Sequence, residues 1–213
     1  MRLRARLRGL YAITPEGLET GALITVVRAA LEGGAAAVQY RSKSADAQLR
    51  RGQASALLAL TRKHSVPLIV NDDIELAAEI DADGVHIGQD DGDVAAARRR
   101  LPGKLIGASC YANLLRACDA VAAGADYVAF GSVFPSPTKP QAPRAPLSLF
   151  HEARALGVPL IAIGGITLRN ASGPVDAGAD CIAVISDLFG APDVRRRAAD
   201  FARLFSALPA ISP

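Results

Sequence analysis

The chain has 213 residues, a formal net charge of +3 and a mean hydropathy of +0.22, with half of its residues hydrophobic. That length allows one ordinary domain, the composition excludes disorder, and no apolar run approaches a membrane span. Aromatic residues make up only 5% and there is no Trp, so the core must be built from small and branched aliphatic side chains.

Arg2, Arg4, Arg6 and Arg8 alternate with Leu3, Ala5 and Leu7. This stretch is short and lacks Ser, so it reads as a solvated basic arm over residues 1–8 rather than a transit peptide. Short apolar runs suited to buried parallel strands then alternate with longer segments of helical period. The runs are LYAIT from Leu10, AAVQYR from Ala36, PLIVND from Pro67, GVHIG from Gly84, LIGASC from Leu105, YVAFGSV from Tyr127, PLIAIGG from Pro159 and CIAVIS from Cys181. Eight helix-capable stretches lie between and after them, the last over 194–208.

Several strands are announced by related phrases: Gly34-Ala35, Asp81-Ala82-Asp83, Gly124-Ala125-Asp126 and Gly178-Ala179-Asp180. Helix, tight turn and strand in that order is half of a repeating unit, and connections of this length imply right-handed parallel crossovers. Eight units of about 27 residues suffice for a lean single-domain (β/α)8 TIM barrel. A doubly wound open sheet is the structural rival, but no GxGxxG follows the first strand. The Pro-rich segment over 135–146, PSPTKPQAPRAP, reads as a long active-site loop after strand six, because the two remaining units could not close a core as a separate domain.

The cysteines, Cys110, Cys118 and Cys181, are odd in number and form no CxxC. A disulfide scaffold or zinc site is not expected, and a reducing, cytoplasmic setting fits. Cys118 and Cys181 read as core residues, and Cys110, at a strand end, as a poor candidate nucleophile. The arginine clusters 98–100 and 195–197 read as solvated helix faces; without interleaved aromatics they give no case for nucleic acid. His64 and His151 fall on helices and His86 inside a strand, where a satisfied core histidine is the expectation.

In a barrel, the C-terminal ends of the strands meet at one mouth. Those ends carry Thr14; Gln39, Arg41 and Lys43; Asn71, Asp72 and Asp73; Gln89, Asp90 and Asp91; Ser109 and Cys110; Ser136, Thr138 and Lys139; Gly164 and Gly165; Ile185 and Ser186. Asp72 or Asp73 and Asp90 or Asp91, on neighbouring strands, could share Mg2+, although each could equally cap a helix. Gly164-Gly165 and Ser186 suit phosphate binding by backbone N–H groups, or the glycines could simply allow a tight turn. Arg41, Lys43 and Lys139 add positive charge. No Ser–His–Asp order and no strong acid–base pair are visible, which fits a reaction limited by departure of a phosphate-type leaving group.

On VQYRSK, VNDDIELA, ADGVHIGQDD, IGAS, GADYVAFGSVFPSPTKP, AIGGIT and GADCIAVIS, in that order, the sequence resembles the thiamine phosphate synthase family, within the synthase/thiazole tautomerase superfamily. The resemblance runs from Leu10 to Phe189. It implies a TIM barrel that joins 4-amino-2-methyl-5-hydroxymethylpyrimidine diphosphate to 4-methyl-5-(2-hydroxyethyl)thiazole phosphate, yielding thiamine phosphate and diphosphate with Mg2+. It further implies that Gln39, Arg41, Lys43 and Asn71 hold the pyrimidine diphosphate and that Asp72 and Asp91 bind Mg2+. Ser109 and Lys139 would contact the diphosphate and pyrimidine side. Ser136, Thr138, Gly165, Ile185 and Ser186 would form the thiazole phosphate pocket. Arg41, Lys43 and Lys139 would stabilise charge on the leaving group in a dissociative reaction.

Tyr40, Cys110-Tyr111 and Ser136 depart from the commoner family residues, and a homodimer is expected from family habit. The nearest rivals are a thiazole tautomerase-like relative or a silent thiamine-phosphate-binding regulator. Retention of Asp72, Asp91, Thr138 and Lys139 disfavours the tautomerase. A sugar-phosphate isomerase would need the acid–base pair that is missing.

Overall fold

The computed structural model describes residues 7–88, 92–135 and 144–206. Eight parallel strands close on themselves in sequence order. They are β1 (Gly9–Ile13), β2 (Ala37–Tyr40), β3 (Leu68–Asn71), β4 (Gly84–Ile87), β5 (Leu105–Tyr111), β6 (Tyr127–Phe130), β7 (Leu160–Ile163) and β8 (Cys181–Val184). β8 pairs back to β1 through Leu10 opposite Ile182 and Tyr11 opposite Ala183. The expected (β/α)8 barrel is the observed one, with each strand inside or within two residues of its apolar run.

The connecting helices are α1 (Thr20–Glu32), α2 (Ala47–Lys63), α3 (Ile74–Glu79), α4 (Val94–Arg100), α5 (Leu114–Ala122), α6 (Ser148–Ala153), α7 (Ser172–Asp176), α8 (Ser186–Phe189) and α9 (Val194–Ser206). α8 is a single turn directly after β8, one more helix than the periodicity suggests. Its four residues are too few to show a helical period.

Alternation along each strand divides the core into two layers. Tyr11, Ile13, Ala37, Ile69, Leu105, Tyr127, Ala129, Ile161, Cys181 and Ala183 fill the barrel interior, and Leu7 plugs its N-terminal end. The last part of the basic arm is thus packed rather than solvated. The neighbouring residues, such as Val38, Val70, Val85, Ile106, Phe130 and Ile182, face the helices. So few aromatic side chains suffice because the interior pairs large residues with small ones. Tyr127 lies over Gly107, where a Cβ would stand 2.0 Å from the Tyr127 Cζ.

The repeated turn phrase has a second role beyond ending helices. Asp83 accepts a hydrogen bond from the Leu68 N–H at 2.9 Å, Asp126 from the Ile106 N–H at 2.9 Å, and Asp180 from the Leu160 N–H at 2.8 Å. Each carboxylate before an even-numbered strand therefore ties down the start of the preceding odd one. Burial raises the Asp180 carboxyl above the usual carboxylate range.

Three surface expectations need correction. Cys118 is exposed, because α5 turns Ala117 and Ala120 inward. Arg98 is not on a solvated face: it donates to the Gly124, Leu101 and Lys104 carbonyls and pairs with Asp126. Arg197 likewise turns toward Asp187, whereas Arg99, Arg100, Arg195 and Arg196 are exposed. Of the 135–146 loop, residues 136–143 lie outside the described residues; its C-terminal end is docked, with the Ala145 N–H donating to the Ser132 carbonyl at 3.1 Å.

Two outcomes follow. Gly107→Ala drives a methyl into the Tyr127 ring and lowers stability by about 1–3 kcal/mol, as overpacking does; an unchanged urea midpoint would contradict this packing. In the native protein Cys118 reacts rapidly with a thiol reagent while Cys110 and Cys181, both buried, react only on unfolding, which a time course of labelling will reveal.

Candidate active site

The C-terminal ends of the strands open into one cavity of about 740 Å³. Gln39, Arg41, Lys43, Asn71, Asp72, Ser109, Gly165, Ile185 and Ser186 all line it. Asp91, Ser136, Thr138 and Lys139 lie outside the described residues. A lobe of about 580 Å³ between the loops after β2 and β3 shares Arg41, Lys43, Asn71 and Asp72 with the mouth.

The β2 side is held by local bonds. Thr14, at the end of β1 and almost wholly buried, accepts from the Arg41 N–H at 2.9 Å and donates to the Arg41 carbonyl at 3.2 Å. The Arg41 guanidinium pairs with Glu16, a partner that sequence reading missed because Glu16 lies beyond the strand end. Of the departures beside expected site residues, Tyr111 lines the mouth and Tyr40 lines the neighbouring lobe, whereas Cys110 is turned away from both. The Tyr40 hydroxyl donates to the Gln53 side chain on α2 at 3.0 Å. Cys110 sits in the outer apolar layer, where burial pushes its thiol up to about 12.

On β3 the two neighbouring acids divide their duties. Asp73 caps α3, accepting from the Leu76 N–H at 2.9 Å, and Asp93 caps α4, accepting from the Ala95 N–H at 2.8 Å. Asp72 caps nothing. It adopts φ +62°, uncommon for a residue with a side chain, and its carboxylate accepts from the Gly88 N–H at 2.9 Å and from the Asn71 amide. Backbone strain of this kind concentrates at functional positions. Among the described residues no three potential metal ligands cluster.

The opposite side of the mouth is built from backbone. Gly164 and Gly165 have φ of +99° and +63°. A Cβ on Gly164 would collide with Ser132, and one on Gly165 would stand 2.2 Å from the Pro135 carbonyl oxygen. Both glycines are therefore required for a tight turn and for close approach of the β6 loop, which bonds here through Phe134 N–H to the Gly164 carbonyl at 3.0 Å. Asn170 curls the same loop by donating to the Gly165 carbonyl at 3.0 Å and accepting from the Thr167 N–H at 2.8 Å.

Between the two sides runs a buried polar chain of which strand-end reasoning found only the termini. The Gln39 amide donates to the Tyr11 hydroxyl at 3.0 Å; Tyr11 and Tyr127 hydroxyls meet at 2.9 Å. His86 contacts the Tyr127 hydroxyl through Nδ1 at 3.2 Å and the Ser109 hydroxyl through Nε2 at 2.9 Å. Because Tyr11 already accepts from Gln39, all hydrogens find acceptors when Tyr11 donates to Tyr127, Tyr127 to Nδ1, and Nε2–H to Ser109. The Ser109 hydroxyl hydrogen is then directed elsewhere. Tyr11 and Tyr127 share the inward phase of Gln39, so period-two reading carried one turn deeper would have found them. His86 is a satisfied interior histidine, but it also lines the mouth.

Burial lowers the His86 pKa to about 4, so the folded protein holds it neutral where the unfolded chain takes up a proton near 6.5. Its contribution to stability is present above about pH 6.5 and is lost as pH falls toward 4. Between pH 7 and pH 5 the loss is roughly 2 kcal/mol. Urea unfolding at the two pH values will register it, and His86→Asn should remove that part of the slope.

The thiamine monophosphate synthase family model matches residues 10–188. Thiamine-phosphate synthase of Methylobacillus flagellatus is 57% identical over 201 residues, covering 94% of this chain and 96% of that protein. Its counterpart from Aromatoleum aromaticum is also 57% identical, over 95% and 98%. The solved structure of thiamine phosphate pyrophosphorylase from Pyrococcus furiosus superposes with a TM-score of 0.85 at 36% identity, covering 95% of this chain and 97% of that one. With the barrel, the mouth and these full-length likenesses in agreement, the chain belongs to the thiamine monophosphate synthase family.

Proposed function

We propose that the mouth joins 4-amino-2-methyl-5-hydroxymethylpyrimidine diphosphate to 4-methyl-5-(2-hydroxyethyl)thiazole phosphate, releasing thiamine phosphate and diphosphate. The observation that carries this reading is a single cavity with two differently built polar ends. Arg41, Lys43, Asn71 and Asp72 stand at one end, and the Gly164-Gly165 turn with Ser186 at the other. Ile13, Ala129, Ile161, Ile163 and Ala183 form apolar walls between them, suited to two flat heterocycles.

In this reaction the bond from the pyrimidine methylene carbon to the diphosphate oxygen breaks, its electron pair leaving with diphosphate. The thiazole nitrogen lone pair then forms the new carbon–nitrogen bond. No proton must be removed, which agrees with a mouth whose histidine is buried, neutral and engaged on both nitrogens. Arg41 and Lys43, with Lys139, are assigned to the charge growing on diphosphate, Gln39 and Asn71 to the pyrimidine, and Ser109, through the hydrogen that His86 leaves available, to a ligand acceptor. Gly165, Ile185, Ser186, Ser136 and Thr138 are assigned to the thiazole phosphate.

The Asp72 carboxylate offers hard oxygen ligands suited to Mg2+, and Asp72 with Asp91 would hold that ion, which supplies further charge stabilisation for the diphosphate. Holding one cationic or metal contact in place before reaction is worth roughly 3 kcal/mol, or about a hundredfold in rate.

Purified protein given both substrates should form thiamine phosphate and diphosphate with Mg2+ and neither with EDTA. Asp72→Asn, which tolerates the left-handed backbone, should lose at least about a hundredfold in kcat while melting like the parent. Absence of product from the parent protein overturns the reading. Isomerisation of a thiazole carboxylate phosphate without condensation would favour the tautomerase-like alternative.

A further inference from the structure

An acidic residue lines the end of the mouth assigned to the thiazole phosphate. Asp187, the second residue of α8, faces the cavity beside Gly164, Gly165, Thr167 and Ser186. A lone carboxylate there would repel a phosphate dianion. Its Oδ2 accepts from the Leu168 N–H at 3.1 Å and from Arg197 Nη1 at 2.5 Å. Arg197 also donates to the Asp187 carbonyl at 3.3 Å. Both side chains are mostly shielded, at 22% and 30% exposure, so the pair is screened less than a surface pair would be. One carboxylate oxygen thus joins three segments: the loop after β7, the single turn α8, and the final helix α9.

We propose that Asp187 and Arg197 are positioning residues for the anion-binding end of the mouth. Asp187 fixes the spacing between the β7 loop and α8, and Arg197 cancels the negative charge that this fixing would otherwise present to a phosphate ester. The inference rests on the reading that this end takes the thiazole phosphate. A carboxylate suits the joint because the Leu168 N–H needs an acceptor and α9 supplies a cation from outside the cavity. Arg197 therefore acts from behind, through Asp187, without belonging to the mouth's lining.

The test is a charge-removal series read by separate KM values. Arg197→Met leaves the carboxylate uncompensated and should raise KM for thiazole phosphate on the order of tenfold, with KM for the pyrimidine diphosphate and kcat little changed. The double variant Asp187→Asn/Arg197→Met should recover most of that loss, because the Asn carbonyl still accepts from Leu168 while the charge is gone. A merely structural pair would instead leave the double variant as impaired as the single one. Should Arg197→Met fail to fold, Arg197→Lys keeps the charge and should hold KM for thiazole phosphate near the parent value; a tenfold rise there overturns the proposal.

Inorganic phosphate gives an arm independent of turnover. It should raise the melting temperature of the parent and of the double variant more than that of Arg197→Met. Equal shifts in all three overturn the charge role. A parent protein that binds phosphate with this pattern but makes no thiamine phosphate would refute the synthase reading alone.

Discussion

Everything in this molecule follows from closing eight short strands into one sheet. A four-residue strand can turn only about two side chains inward, and the barrel must fill its interior with that allowance. The lower positions are spent on packing. The upper ones, with the residues just beyond them, line the mouth. Gln39, Asn71, His86 and Ser109 are each the last or nearly the last inward residue of their strands, so they converge without any linear motif to announce them.

The same constraint explains the polar chain through the interior. A small-residue barrel leaves room above Gly107 for a large side chain, and Tyr127 takes it. Its hydroxyl then needs partners, since an unsatisfied buried hydroxyl would cost about 1–3 kcal/mol. Tyr11 and His86 meet that need, and they in turn reach Gln39 and Ser109 at the mouth. Packing and the orientation of site residues are therefore one problem here. His86 also stacks on the Tyr127 ring at 5.6 Å between centroids, so the imidazole is fixed by contact as well as by hydrogen bonds.

Strand positions were legible in the sequence because fully buried parallel strands must be continuous apolar runs. Strand-end residues were legible because a barrel gathers them. What remained hidden involved partners outside that logic. Glu16 meets Arg41 from beyond β1, and Arg197 reaches Asp187 from a helix that reads as a solvated face. No local pattern tells an arginine that pairs inward from Arg195 or Arg196 beside it. Cys118 was misplaced for a related reason: α5 alternates small residues on both faces, and Ala117 and Ala120 rather than Cys118 take the buried one. The division between Asp72 and Asp73 was equally hidden, since either could have capped α3 until the backbone placed Asp72 in the left-handed region.

The carboxylates beneath the barrel divide its eight strands into couples. Asp83 binds β3 to β4, Asp126 β5 to β6, and Asp180 β7 to β8, whereas β2 is preceded at the matching position by Ala36, whose backbone N–H donates to the Leu10 carbonyl at 2.8 Å. The barrel is thus a ring of four quarters, three clasped by an acid. All three clasps sit at the end of the sheet remote from the mouth. Change in the loops at the mouth leaves these joints untouched, and the smallest unit that carries its own joint is a clasped strand pair rather than a single strand and its helix.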